Sequence, residues 1–233
     1  LESGKINLLI GTHSLFQKKI KFNNLGLIII DEQHKFGVKQ RIALAKKGGP
    51  NCDVLLMSAT PIPRTMMMSI YGDMDISRLT EKPKGRKEIF TYVKPENKIN
   101  DIIPILKEQV NKNNQIFWVC PLIENSKKLN FTSAVNKFNS IKTLFPNKVG
   151  LIHGGLNEFD KNLVIKDFVN KKINILVSTT VIEVGIDIPN ANTILIENAN
   201  KFGLSQLHQL RGRVGRGYEN SICILLYKDK LSE

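Results

Sequence analysis

Short apolar runs alternate along the chain with stretches whose apolar residues recur at helical spacing. The runs Ile6–Ile10, Leu25–Ile30, Val54–Met57, Ile89–Val93, Ile116–Cys120, Val149–Ile152, Ile173–Val177, Thr193–Ile196 and Ile222–Leu226 read as strands. Between them, Ile99–Asn111, Thr132–Leu144, Glu158–Asn170 and Ser205–Arg211 read as helices. Apolar strands interleaved with helices predict an α/β fold, because a parallel sheet is buried on both faces by the helices that connect its strands. The charged stretch Glu81-Lys82-Pro83-Lys84-Gly85-Arg86-Lys87 breaks the pattern and reads as a linker. The expected organisation is one unit over 1–80, a linker over 81–88 and a second α/β unit over 89–233.

Composition narrows the class. With 233 residues, 42% of them hydrophobic, the chain can bury one large core or two modest ones. No apolar run is long enough to span a bilayer, so no membrane partner is expected. The opening Leu1-Glu2-Ser3-Gly4 has neither Met nor the basic and apolar regions of a signal peptide, and reads as a cut into a longer protein. Cys52, Cys120 and Cys223 are far apart and sit in apolar surroundings, which predicts buried reduced thiols in a cytoplasmic protein. The net charge of +13 suits a polyanion, nucleic acid before membrane, although a lysine-rich solvated surface gives the same number.

Candidate chemistry sits where apolar strands end. Leu25–Ile30 runs directly into Asp31-Glu32-Gln33-His34. In open α/β sheets the carboxyl ends of the strands face the ligand crevice. Adjacent carboxylates there suit a Mg²⁺ ligand (Asp31) and a group that polarises water (Glu32). A helix N-terminus at Asp31, where the dipole favours acids, is the plainer alternative. Ser58-Ala59-Thr60-Pro61 closes the next strand; its hydroxyls can report nucleotide state or simply cap a helix. Gln209-Leu210-Arg211-Gly212-Arg213-Val214-Gly215-Arg216-Gly217 places arginines among glycines that let backbone approach a ligand, a composition suited to a triphosphate. A basic surface turn is its alternative. Ser178–Pro189 follows a further strand, with hydroxyls suited to phosphates and Asp187 suited to a ribose hydroxyl.

Taken in order, these segments resemble the motif set of superfamily 2 helicases: Gly11-Thr12-His13, Asp31–His34, Ser58–Thr60, His153-Gly154, Thr179–Pro189 and Gln209–Arg216. Asp31–Val38, Thr60–Thr65, Tyr71–Asp75, Val119–Glu124 and Phe202–Gln209 are similar more narrowly to the RecG family of bacterial ATP-dependent DNA helicases. The transcription-repair coupling factor shares the arginine-rich ending but lacks the Cys-Pro-Leu-Ile-Glu segment. The resemblance implies two RecA-like lobes, the first incomplete, with ATP and Mg²⁺ between them and DNA across their tops.

Under the same resemblance Asp31 serves Mg²⁺ and Glu32 the attacking water, while Arg213 and Arg216 are arginine fingers. Gly185 and Asp187 contact nucleotide, and His34, Ser58, Thr60 and Gln209 couple the lobes. Thr12, His153, Gly154 and Thr179 meet the DNA backbone. The family departs from this sequence at Ser58, often Thr, and at Gly155, often basic. The implied activity is a monomeric, cytoplasmic and nucleoid-associated motor that remodels branched duplex DNA, such as stalled forks and Holliday junctions, in recombination and repair. No G-x-x-x-x-G-K-[S/T] phosphate loop occurs, since Gly4-Lys5 is followed by Ile6, so this stretch alone is expected to be inactive. A coupling-factor translocase and an ATPase-dead nucleic-acid-binding module are the other readings.

Overall fold

A computed structural model describes residues 2–33, 36–59, 75–81, 87–121, 127–179, 188, 190–217 and 220–228, with side chains of 127–133 excluded. The chain divides into two compact units, Leu1–Asp75 and Ile76–Glu233.

In the first unit, β1 (Leu27–Ile30) and β2 (Asp53–Leu56) pair in parallel, with Ile30 opposite Leu56. The crossover contains helix α1 (Val38–Gly48). Alternation along β1 turns Ile28 and Ile30 inward, where Leu44 of α1 meets them with Phe16, Phe36 and Val54 around the edge. Gly48 closes the helix against Cys52, whose Sγ lies 2.3 Å from where a Cβ on that glycine would stand, so only glycine fits. The expected strand over Ile6–Ile10 does not form. The segment joins no ladder with β1 or β2, and Ile6, Leu8 and Ile10 are exposed. An apolar run gains strand structure only with a partner to satisfy its backbone, and none of the described strands offers one. Helix α1 was not expected, because it buries a single residue and its apolar periodicity is faint.

The second unit is a six-stranded sheet of order β3-β8-β7-β4-β6-β5, every pair parallel. The strands are β3 (Ile89–Pro95), β4 (Gln115–Val119), β5 (Val149–Ile152), β6 (Ile175–Ser178), β7 (Ala191–Ile196) and β8 (Ser221–Tyr227). The helices are α2 (Ile99–Asn111), α3 (Lys127–Leu144), α4 (Glu158–Val169) and α5 (Leu204–Arg211). Helix α3 begins before the expected Thr132; Lys127–Asn130 contains neither Gly nor Pro, so nothing stops the earlier turn. Along β4, Ile116 and Trp118 face Ile102 and Leu106 of α2, Ile141 of α3 and Phe145 just after that helix. Phe117 and Val119 point the other way, toward Phe168 of α4 and Leu210 of α5. A strand buried on both faces is near-continuously apolar, which is why β4 after Gln115 shows no polar alternation. Among the described residues, no helix is long and apolar enough to cross a membrane.

Cys120 and Cys223 are buried in this sheet and Cys52 is half-buried. Burial pushes the Cys223 thiol up to about 11, against a smaller opposing pull from Arg211. Cys120 is raised further, by burial and then by the nearby Glu197 carboxylate. Cys52 is also raised, chiefly by burial. A thiol of pKa about 11 is roughly one part in a thousand thiolate at pH 8. Ellman's reagent at that pH is therefore expected to label one thiol, Cys52, before unfolding and the other two only in denaturant. Rapid labelling of all three in the native chain would contradict the burial.

Candidate functional site

The first unit brings the candidate residues Asp31, Glu32 and Ser58 to the carboxyl edge of β1 and β2. Asp31 and Glu32 follow β1 directly. The backbone N–H of Gln33 donates to Met57 O (3.1 Å) and that of Met57 to Ile30 O (2.8 Å), which brings Ser58 to the same edge. Asp31 is exposed, and its Oδ1 accepts the Glu32 N–H at 2.8 Å. Glu32 sits at φ +47°, left-handed backbone that costs a non-glycine residue free energy and so has to be held in place. Buried Gln33 is part of that restraint, since Arg41 Nη1 of α1 donates to its carbonyl at 3.0 Å. Thr12 is exposed at the start of a 3-10 turn, His13–Phe16.

The second unit places its predicted residues in two groups. Ile152 pairs with Ser178 across β5 and β6, so His153-Gly154 and Thr179 emerge side by side from neighbouring strand ends. His153 is buried, and its Nδ1 accepts the Gly155 N–H at 3.1 Å. Desolvation, then Lys161, holds this imidazole below the ordinary histidine pKa, so it is neutral at pH 7 and shapes the glycine turn, whose Gly154 is exposed. Thr179 is also buried, while the Ser178 hydroxyl beside it has no hydrogen-bond partner among the described residues.

The other group is the end of α5. Gln209 is half-buried on the helix, Arg213 is half-buried in the turn after it and Arg216 is exposed. Arg211 faces away from this chemistry: its Nε donates to Thr91 Oγ1 and its Nη2 to Ile89 O, both at 3.0 Å, pinning the helix end to β3. Gly215 adopts φ +79°, and a Cβ there would stand 2.9 Å from Ile89 Cγ1. His34, Thr60, Gly185 and Asp187 lie outside the described residues.

Sequence reasoning passed over a buried polar cluster at the ends of β4 and β7. Glu197, 5% exposed, accepts the Trp118 indole N–H at 3.0 Å and pairs with Lys137 Nζ at 2.7 Å. That ammonium also lies 5.8 Å from the Trp118 ring centroid. The one available signal was an acid closing an apolar strand, Leu195-Ile196-Glu197, the pattern already used to find Asp31.

The chain resembles proteins of known kind along nearly its whole length. Residues 97–218 match the helicase conserved C-terminal domain, and residues 1–69 match the DEAD/DEAH box helicases. The ATP-dependent DNA helicase RecG of Thermotoga maritima is 51% identical over 231 residues, covering 98% of this chain and 30% of that protein. The chain thus spans about a third of the length of the curated relatives it matches. A solved structure of RecG bound to a three-way DNA junction superposes with a TM-score of 0.68 at 44% identity, over 95% of this chain and 28% of that one. The RNA- and ADP-BeF3-bound Dbp5 of Saccharomyces cerevisiae, 20% identical, shares the fold with a TM-score of 0.61, over 94% of this chain and 57% of its own. With the helicase C-terminal domain matched over more than half of its residues, this chain belongs to the helicase family.

Proposed function

We propose that this chain is part of a RecG-type motor that couples ATP hydrolysis to the remodelling of branched duplex DNA. The observation that carries the reading is the acidic loop, Asp31 exposed at a parallel strand end with Glu32 restrained in left-handed backbone beside it. The RecG structure bound to a three-way DNA junction, 44% identical over 95% of this chain, supports the substrate class.

Asp31 Oδ1 accepts the Glu32 amide, and the carboxylate is exposed. One exposed carboxylate fits Mg²⁺, an ion that keeps several waters and shares phosphate oxygens in preference to a protein cage. When bound, Mg²⁺ neutralises charge on the β- and γ-phosphates. Glu32 accepts a hydrogen bond from the attacking water and orients it, while Ser58 senses the same loop. Arg213 and Arg216 carry the counter-charge for the transferring phosphoryl group, and Gly185 and Asp187 hold the nucleotide. His34 and Thr60, with Gln209, complete the coupling set. Thr12, the Gly154 turn shaped by His153, and Thr179 contact phosphates of the DNA backbone, contacts that position a duplex without reading its sequence.

The test is steady-state ATPase of the complete polypeptide with forked, four-way and linear duplex DNA at matched phosphate concentration. Forked and four-way DNA are expected to stimulate hydrolysis more than linear duplex. Equal stimulation by all three would remove the branched-DNA reading.

A further inference from the structure

Two loops of the first unit that the proposed function uses separately are joined by contacts that no motif describes. One loop carries Thr12 and the 3-10 turn after it; the other is Asp31–Gln33. The His13 ring lies 4.4 Å, centroid to centroid, from Phe36 at an interplanar angle of 31°, and Phe16 lies 5.2 Å from the same ring. Phe36 is tied back to the acidic loop, because its N–H donates to Gln33 O at 3.1 Å. Phe36 therefore packs its ring against the segment beside Thr12 while its backbone N–H is bonded to the segment beside Glu32.

Helix α1 makes the second connection. Near its start Arg41 holds Gln33 O. Near its end Lys47 Nζ donates to Leu15 O at 3.2 Å, Gln17 O at 2.6 Å and Ile20 O at 2.9 Å. An ammonium has three N–H bonds, and these carbonyls take all of them. Lys47 therefore belongs to the loop that follows Thr12 more than to the basic surface. Arg41 and Lys47 are separated by about 9 Å of helix, which is stiff over that length.

We propose that Phe36, Arg41 and Lys47 are positioning residues that make the Thr12 loop and the acidic loop move as one body. DNA phosphate engaged at Thr12 then changes the setting of Glu32, and this is how DNA stimulates hydrolysis from within the first unit. The inference rests on the motor reading above. It goes beyond it by assigning the link to residues to which that reading gives no contact with ATP or DNA.

The experiment compares Phe36→Leu, Phe36→Tyr and Lys47→Met with the unsubstituted complete polypeptide, measuring ATPase with and without saturating forked DNA, KM for ATP, and Tm. Leu keeps apolar volume but loses the ring; Tyr keeps the ring. Phe36→Leu and Lys47→Met are each expected to reduce the DNA-stimulated to basal ratio by about 5- to 150-fold, the usual span of coupling between sites. Basal rate and KM should hold, and Phe36→Tyr should restore the ratio. An unchanged ratio in both variants would overturn the link, as would basal and stimulated rates falling in step. Absence of DNA stimulation in the unsubstituted protein would instead overturn the motor reading, and the link with it.

Discussion

Arg213→Ala or Arg216→Ala in the complete polypeptide is expected to lower kcat for DNA-stimulated ATP hydrolysis by about 10³-fold or more while leaving Tm close to that of the parent. The reasoning begins with what fixes the loop. Arg211 is bonded to Ile89 O and Thr91 Oγ1, Val214 is fully buried, and Gly215 sits against Ile89 in left-handed backbone where a side chain would be strained. Arg213 and Arg216 alternate with these pins. The backbone that carries both guanidinium groups is thus held by its neighbours, and a held frame is what transition-state stabilisation requires. An arginine finger acts on charge that spreads over the phosphoryl group during transfer, an effect worth roughly 10³–10⁵ in rate. Its loss should depress kcat far more than it raises KM for ATP. Lysine should rescue poorly, because a point charge cannot form the planar fork. Arg211→Ala should behave differently, lowering Tm through the lost anchor on β3. Near-normal kcat in both Arg213→Ala and Arg216→Ala would return the cluster to the basic surface turn.

What could be read from the sequence follows a physical rule. Elements whose identity depends on local pattern were readable: buried strands such as Val149–Ile152 and the helix Ile99–Asn111 stand where apolar periodicity puts them. The placement of Asp31 and Glu32 at a strand end was readable because the apolar run before them supplies its context within a few residues. Elements that depend on distant partners were not. Ile6–Ile10 has the composition of a strand and joins no ladder among the described residues. Lys47 looks like any surface lysine until the chain brings the carbonyls of Leu15, Gln17 and Ile20 to it. His153 reads as a phosphate contact, yet burial makes it a neutral brace for a glycine turn. Trp118 and Glu197 are 79 positions apart, so no spacing rule could pair them.

That last pair yields the largest stability effect expected in the second unit. Glu197→Ala should cost about 3 kcal/mol, toward the lower end for breaking a buried ion pair. The lower end applies because Lys137, with 28% of its side chain exposed, can turn toward water once released. The Trp118 indole N–H has no such escape: Trp118 is 1% exposed, and an unmatched buried donor alone costs about 1–3 kcal/mol. Glu197→Gln should cost less, since the amide oxygen can still accept from the indole while only the charge pairing is lost. Lys137→Met leaves the carboxylate buried without its cation. Adding Glu197→Gln to that background removes the stranded charge, so the double variant should be more stable than the sum of the single losses predicts. Trp118 is the sole tryptophan of the chain and lies in the second unit, so its fluorescence during urea unfolding reports that unit directly. With a slope of about 1–3 kcal/mol per molar urea, the Glu197→Ala midpoint should fall by about 1 M or more. A midpoint indistinguishable from the parent would mean that the carboxylate is dispensable, and that β4, β7 and α3 are joined by apolar packing alone.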